Sequence, residues 1–203
     1  MKIYLIRHSE SQDDLINCIG GAADWDITEN GIKKVEKFEP KFKKFEVEKI
    51  YTSPLKRAYK TAEILNKHTK LEIVKLFDLR ETNHYGFLTG LEINLAKQLF
   101  GYMIDEQEYS KISYYNKKCM PGGETSKELD KRIKKTMKQI LKESSKLNAI
   151  AIVTHGGVLR SIFYSFLKIK KKILKIEDVA CAEIELKNGK FKVIETSGFV
   201  FEK

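Results

Sequence analysis

The chain has 203 residues, 42% of them hydrophobic and 10% aromatic, with 38 Lys and Arg against 28 Asp and Glu. That length and composition suit one globular domain with a sizeable core and exclude an intrinsically disordered chain. Three widely spaced cysteines, Cys18, Cys119 and Cys181, exclude a disulfide framework and offer no zinc-type pair, and no apolar run approaches the roughly 20 residues that span a bilayer.

Strand-like and helix-like stretches alternate along the chain. Lys2 to Ile6 reads as a short buried strand. It is too short for a signal-peptide core, so the expectation is a cytoplasmic protein. Thr28 is placed to cap a helix running toward Pro40. Glu48 to Thr52 reads as a second strand, and Ser53-Pro54 as the N-cap and first residue of the next helix. Leu71 to Leu76 is a third strand. Residues 91–118 are helical, irregular and tyrosine-rich, and 124–145 form a long amphipathic helix rich in Lys. Asn148 to Val153 is the clearest buried strand, with a helix over Gly157 to Leu167 behind it. The last 25 residues alternate as strands around an Asn188-Gly189 turn.

This alternation predicts an α/β fold, a three-layer sandwich with a mostly parallel central sheet and helices on both faces. The expected organisation is one domain over 1–203, with residues 91–118 as a short helical cap insertion or a helical hairpin packed on the core.

The formal net charge is +10. Such a surplus steers anions, including nucleic acids, acidic lipids and phosphate esters. The lysines are spread along the whole chain and read as solvated helix faces. The five arginines say more. Arg7 follows a strand and Arg57 opens a helix, where a planar fork suits bidentate recognition of phosphate or carboxylate. Arg80 and Arg132 read as ordinary surface residues.

Ligand sites in parallel sheets lie beyond the carboxyl ends of the strands. The polar residues there are Arg7 to Glu10, then Ser53 and Arg57, then Arg80-Glu81, then Thr154 to Gly157. His8 and His155 each stand immediately past a buried strand, whereas His68 and His84 read as surface or loop histidines. Two histidines, two arginines and a carboxylate at one sheet edge fit a phosphate site better than a metal site, because the arginines would repel a cation. Arginine forks neutralise a dianion, a neutral imidazole attacks phosphorus, and a carboxylic acid protonates the leaving alkoxide. Either histidine would serve as the nucleophile on these grounds.

The residues then match a known family. Leu5-Ile-Arg-His-Ser-Glu-Ser11, Asp24 with Ile27-Thr28-Glu-Asn-Gly31, Ser53-Pro-Leu-Lys-Arg-Ala58 with Thr61-Ala62, Pro121-Gly-Gly-Glu-Thr125 and Val153-Thr-His-Gly-Gly-Val-Leu-Arg160 occur in the order of the histidine phosphatase superfamily. The chain resembles the cofactor-dependent phosphoglycerate mutase-like proteins of that superfamily nearly end to end. The resemblance implies that His8 becomes phosphohistidine, that Arg7, Arg57 and His155 hold the phosphoryl oxygens, and that Glu81 is general acid and then base. It implies no metal and no cofactor. The implied partner is a small phosphorylated metabolite, with no nucleic acid and no membrane, and it leaves room for a homodimer.

Four departures carry expectations of their own. Ser9 replaces a glycine and either crowds the pocket or adds a hydrogen bond. Asp14 stands where asparagine is usual and either faces the phosphate or points to solvent. Cys18 takes the place of a frequent arginine, as a reactive or a packed thiol. Glu81 is followed by one residue more than usual before Gly86, which could displace it.

Family mutases tend to carry longer insertions after the acid segment, and only about 30 residues separate Gly90 from Pro121. Gly157 is also phosphatase-like, so the expected activity is hydrolysis of a phosphomonoester. The alternatives are a cofactor-dependent phosphoglycerate mutase and an inactive phosphoryl-ligand-binding module. Tyr102, Tyr109, Tyr114 and Tyr115 are candidates to stack on a sugar or base.

Overall fold

Strand β1 (Lys2–Arg7) alternates its side chains between two apolar layers, and that alternation organises the molecule. The computed structural model describes residues 1–109 and 119–202. Ile3 and Leu5 face one layer, Tyr4 and Ile6 the other, as the two-residue strand period requires. The remaining strands are β2 (Lys49–Thr52), β3 (Ile73–Lys75), β4 (Ala149–Thr154), β5 (Ile173–Lys187) and β6 (Lys190–Phe201). The helices are α1 (Gln12–Leu15), α2 (Glu29–Lys43), α3 (Lys56–Leu65), α4 (Ile93–Tyr109), α5 (Ser126–Glu143) and α6 (Gly156–Ser161), the last continued by a wider π turn over Ile162–Phe166.

The six strands lie in the order β3-β2-β4-β1-β5-β6. The first four are parallel and the β5–β6 hairpin adds two antiparallel strands. The sheet is therefore mixed, and its parallel part holds the centre. Every residue of β4 is buried. Val35 and Phe42 of α2 and Ala58, Ala62 and Leu65 of α3 pack on one face. Leu129, Ile133, Met137 and Ile140 of α5 pack on the other with Val158 and Leu159 of α6. Asn188 and Gly189 both have positive φ, 51° and 71°, the backbone a two-residue hairpin loop needs.

Strand and helix ends shift by a residue or two from expectation, and two helix boundaries differ for identifiable reasons. Helix α2 does not stop at Pro40 but runs on to Lys43. Pro40 and Glu36 are both exposed, so water can reach the carbonyl whose amide partner the proline removes. Phe42 is fully buried and holds the last turn down. Helix α3 starts at Lys56 rather than at Pro54. Leu55 takes the cap position, and the Ser53 hydroxyl oxygen accepts the Leu55 N–H at 3.2 Å while it lies 2.8 Å from Nε2 of His155. Asp24 supplies the missing acceptor, receiving the Lys56 backbone N–H at 2.6 Å.

The described part of α4 joins neither sheet-face layer. Ala96 packs in a small separate cluster with Ile19, Leu88 and Met120, and the helix kinks at Phe100. The end of the expected cap, residues 110–118 with Tyr114 and Tyr115, lies outside the described residues, as do the side chains of Tyr102 and Tyr109. No described helix is long and apolar enough to cross a membrane.

Phe42 tests whether the overrun of α2 is held by packing. Phe42→Ala is expected to lower unfolding stability by about 3–5 kcal/mol. Denaturant unfolding would read this as a lower midpoint at unchanged slope; a loss under 1 kcal/mol would refute the anchoring role.

Candidate active site

The site begins with strand register. Arg7 pairs with Thr154, and Ile6 with Val153, in the parallel β1–β4 ladder. The next residue on each strand is a histidine, so His8 and His155 emerge side by side. Their ring centroids are 4.9 Å apart at 59°, and both side chains are buried.

Local contacts fix the protonation of His8. Its Nδ1 lies 2.6 Å from the Ser9 carbonyl, which can only accept, so Nδ1 carries the proton. Nε2 receives a hydrogen bond from Arg57 Nε at 3.3 Å, so it presents a lone pair. Burial, and then the charges of Arg7 and Arg57, push His8 well below the usual histidine range. His155 is pushed down in the same way, by burial first, then by His8 and the arginines. Both rings are therefore neutral near pH 7. Nδ1 of His155 is buried with no hydrogen-bond partner among the described residues.

Arg57 is 2% exposed. Its Nη1 donates to the Ala23 carbonyl at 2.6 Å and its Nη2 to Gly21 at 2.8 Å. The loop before α2 thus grips the guanidinium, and Asp24 ties the same loop to the start of α3. Arg7 donates from Nη1 to the Ile176 carbonyl at 2.8 Å and meets Asp178 at 3.2 Å. Lys34 joins Asp178 at 2.8 Å to Glu10 at 2.7 Å. Lys34, Thr28 and Asn30 hold the Glu10 carboxyl at about 2.

Glu81 reaches the cluster despite the extra residue that follows it. Its Oε2 accepts the Gly157 N–H at 3.0 Å and its Oε1 the Thr82 N–H at 2.9 Å. A Cβ at position 157 would lie 2.5 Å from Glu81 Oε1, so glycine there lets the carboxylate sit where it does. Arg132 anchors the loop from below. It forms a bidentate pair with Glu124 at 2.5 and 2.7 Å, and donates to the Asp78 carbonyl at 2.6 Å. The five expected residues, Arg7, His8, Arg57, Glu81 and His155, thus gather at one end of the sheet.

Other expectations are corrected. Arg132 is not an ordinary surface arginine, since its side chain is only 11% exposed. Ser9 does not crowd the pocket. It is fully buried and donates its hydroxyl to the Gly31 carbonyl at 2.9 Å. Asp14 is exposed, as its solvent-facing reading expects, and from there it accepts the Ser11 N–H at 3.0 Å as the capping partner of α1. Cys18 is half-buried in a bridge to Glu92. Sequence reasoning missed Asp178, which a bulge in β5 aims at Arg7. Register shifts between Ile176 and Cys181, and Val179 adopts φ of 54°, strained for a β-branched residue. It also missed His84, which lines the cavity beside Glu81.

The model of the histidine phosphatase superfamily (branch 1) matches residues 3–197. The chain belongs to this superfamily. Phosphoglycerate mutase-like protein 4 of Arabidopsis thaliana is 30% identical over 98% of this chain and 85% of its own length. The metal-independent phosphoserine phosphatase of the same plant is 32% identical over 80% of this chain and 67% of its own length. Among solved structures, YhfR of Bacillus stearothermophilus superposes with a TM-score of 0.84 at 23% identity, covering 98% of this chain and 97% of that one. Members of the superfamily are phosphatases or mutases, and this chain is an enzyme of that kind.

The depressed histidines set a pH dependence of stability. An unfolded histidine titrates near ~6.5, above the folded values, so the unfolded state binds the extra protons. Stability is full above about pH 6.5 and falls on acidification by up to ~1.4 kcal/mol per pH unit for each histidine. The loss continues until the folded rings protonate. Unfolding midpoints between pH 7 and 5 should show this slope, and His155→Asn should flatten it. A flat profile in the unmodified protein would mean that the pair is not held neutral.

Proposed function

We propose that the chain is a metal-independent phosphomonoesterase that works through phosphohistidine at His8. The observation that carries this reading is the Nε2 lone pair of His8. It is fixed by the Ser9 carbonyl on the far side of the ring and aimed at the Arg57 guanidinium, where a phosphoryl group would be held.

In this mechanism Arg7, Arg57 and His155 bind the phosphoryl oxygens. Each guanidinium spends part of its donor set on backbone carbonyls and keeps the rest for the dianion. Nδ1 of His155 gains its missing partner. If Ser53 donates its hydroxyl to Nε2, Nδ1 carries the proton and donates to a phosphoryl oxygen. The His8 Nε2 lone pair attacks phosphorus and the ester P–O bond breaks. Glu81 gives its proton to the leaving alkoxide. Ionised Glu81 then takes a proton from a water whose oxygen attacks phosphorus. The P–N bond breaks, inorganic phosphate leaves, and His8 returns to its neutral form. The positive charge that stabilises the transition state comes from fixed arginines, which need no reorganisation when the reaction occurs.

Hydrolysis is preferred to mutase chemistry because the segment after Glu81 is short. A mutase must keep water away from the phosphohistidine while its substrate turns.

Phosphate release from a panel of phosphomonoesters in EDTA tests the reading. Release is expected to resist the chelator and to vanish in His8→Ala, with acid-labile label trapped on the unmodified protein. Interconversion of phosphoglycerates after priming with a bisphosphoglycerate, without phosphate release, would make the enzyme a mutase. Removing one preorganised donor typically costs ~100-fold in rate. Asp178→Asn, which loosens Arg7 without deleting it, is expected to lower kcat by roughly tenfold, less than Arg7→Ala. Equal losses in the two variants would refute an orienting role for Asp178.

A further inference from the structure

We infer that Arg132 is a positioning residue for proton transfer: paired with Glu124, it sets where the Glu81 carboxyl stands and leaves phosphate binding to Arg7 and Arg57. The inference rests on the phosphatase reading, in which Glu81 is the acid.

Glu81 lies on an irregular segment between the tight turns Phe77–Leu79 and Gly86–Leu88. Such a segment holds a side chain less firmly than a helix or strand does, so the aim of the carboxyl comes from outside contacts. Two N–H groups meet the carboxylate. Thr82 donates at 2.9 Å from the segment itself, and Gly157 at 3.0 Å from the first turn of α6. The carboxyl is therefore placed only as well as the segment is placed against α6.

Helix α5 holds both parts. Asp130 accepts the hydroxyl of Ser161, the last residue of α6, at 2.6 Å, and both side chains are buried. Two residues later, Arg132 reaches the segment. Its Nη1 donates to the Asp78 carbonyl at 2.6 Å, and its Nη2 makes a longer contact of 3.5 Å with the Glu81 carbonyl. Glu124 carries the clamp past Glu81. Its carboxylate accepts from Arg132 Nε and Nη2, while its backbone N–H donates to the Asn83 carbonyl at 3.0 Å. The pair thus grips the segment before, at and after Glu81. Gly123 permits the approach, since a Cβ there would lie 2.8 and 2.9 Å from the His84 and Asn83 carbonyl oxygens.

Donor use separates Arg132 from the phosphate-binding arginines. A guanidinium has five N–H groups. Arg132 makes four hydrogen bonds within the protein, against three for Arg57. Its side chain and that of Glu124 are only 11% and 14% exposed. Serving a carboxylate and two carbonyls at once takes the planar fork, and a lysine in its place keeps the charge but not the fork.

The experiment compares kcat/KM for two esters of similar size in the unmodified enzyme, Glu81→Gln, Arg132→Lys and Glu124→Gln. Benzyl phosphate releases an alkoxide that must gain a proton, whereas 4-nitrophenyl phosphate releases a phenolate that needs none. Since kcat/KM extends only as far as alcohol release, the later work of Glu81 as base does not enter it. The nitrophenyl-to-benzyl ratio also does not depend on how much of a variant is folded. Glu81→Gln is expected to raise the ratio ~100-fold, as loss of a general acid does. Arg132→Lys and Glu124→Gln should each raise it about tenfold, as a misplaced catalytic group does. A merely structural pair would lower both rates together, and an unchanged ratio in both variants would overturn the inference. If Glu81→Gln itself leaves the ratio unchanged, Glu81 is not the acid, and the reading fails at that residue and takes the inference with it. If neither ester is hydrolysed, the phosphatase reading fails and the Gly157 amide resonance decides the inference. That resonance is expected to titrate with the Glu81 carboxyl and to stop doing so in Glu81→Gln. A smaller titration in Arg132→Lys supports the positioning role, and an equal one refutes it.

Discussion

Everything at the site depends on the parallel pairing of β1 with β4. Register places Arg7 opposite Thr154, so the residues that follow leave the sheet together. Two imidazoles could not approach this closely from separate loops without a scaffold to hold them. Strand β2 lies on the other side of β4, and the helix after it delivers Arg57 to the same edge. Glu81 follows the outermost parallel strand. Four of the strands thus end at one edge, and the chemistry collects where they end.

Burial of so much charge is tolerable because each guanidinium has fixed partners. The Arg57 guanidinium sits between two backbone carbonyls, and Arg7 leans on a carbonyl and a carboxylate. The histidines meet burial differently, by staying neutral. A neutral imidazole is also the form that can attack phosphorus, so one constraint serves stability and reactivity alike. The strain at Val179 belongs to this arrangement. It lies in the bulge that turns Asp178 onto Arg7, and its N–H reaches the His8 carbonyl at 3.4 Å. Strained backbone of this kind persists where surrounding contacts determine it.

Much of this was legible in the residues. Alternation and length expose the buried strands, and a histidine just past a strand is a local signal that needs no tertiary knowledge. The Thr28 cap and the Asn188-Gly189 turn are local too, and both occur. The misread residues answer to distant partners. Arg132 looks like one more cation on a basic helix until Glu124 and the Asp78 carbonyl close around it. Ser53 reads only as a cap because the imidazole that its hydroxyl also meets lies 102 positions away. Asp178 is invisible because no rule of strand periodicity announces a bulge. Ser9 could be tolerated or not, and only the close approach of Gly31 decides it. A Cβ on Gly31 would lie 2.4 Å from the Glu10 carbonyl oxygen, so glycine there lets α2 come near enough to accept the Ser9 hydroxyl.

The position of β1 in the sheet has a consequence for how the protein is made. Its neighbours are β4 and β5, both from the last third of the chain. As synthesis proceeds from the N-terminus, the Lys2–Arg7 strand emerges before the other five and finds its partners last. Strands β2 and β3 can pair early, but the central slot stays open until Ala149–Thr154 leaves the ribosome. Until then an apolar strand with both edges unpaired is exposed to other chains, a recognised hazard for folding intermediates. The same delay means that no fragment lacking β4 can hold the two histidines together, so the nascent enzyme has no assembled site until its fold is nearly closed.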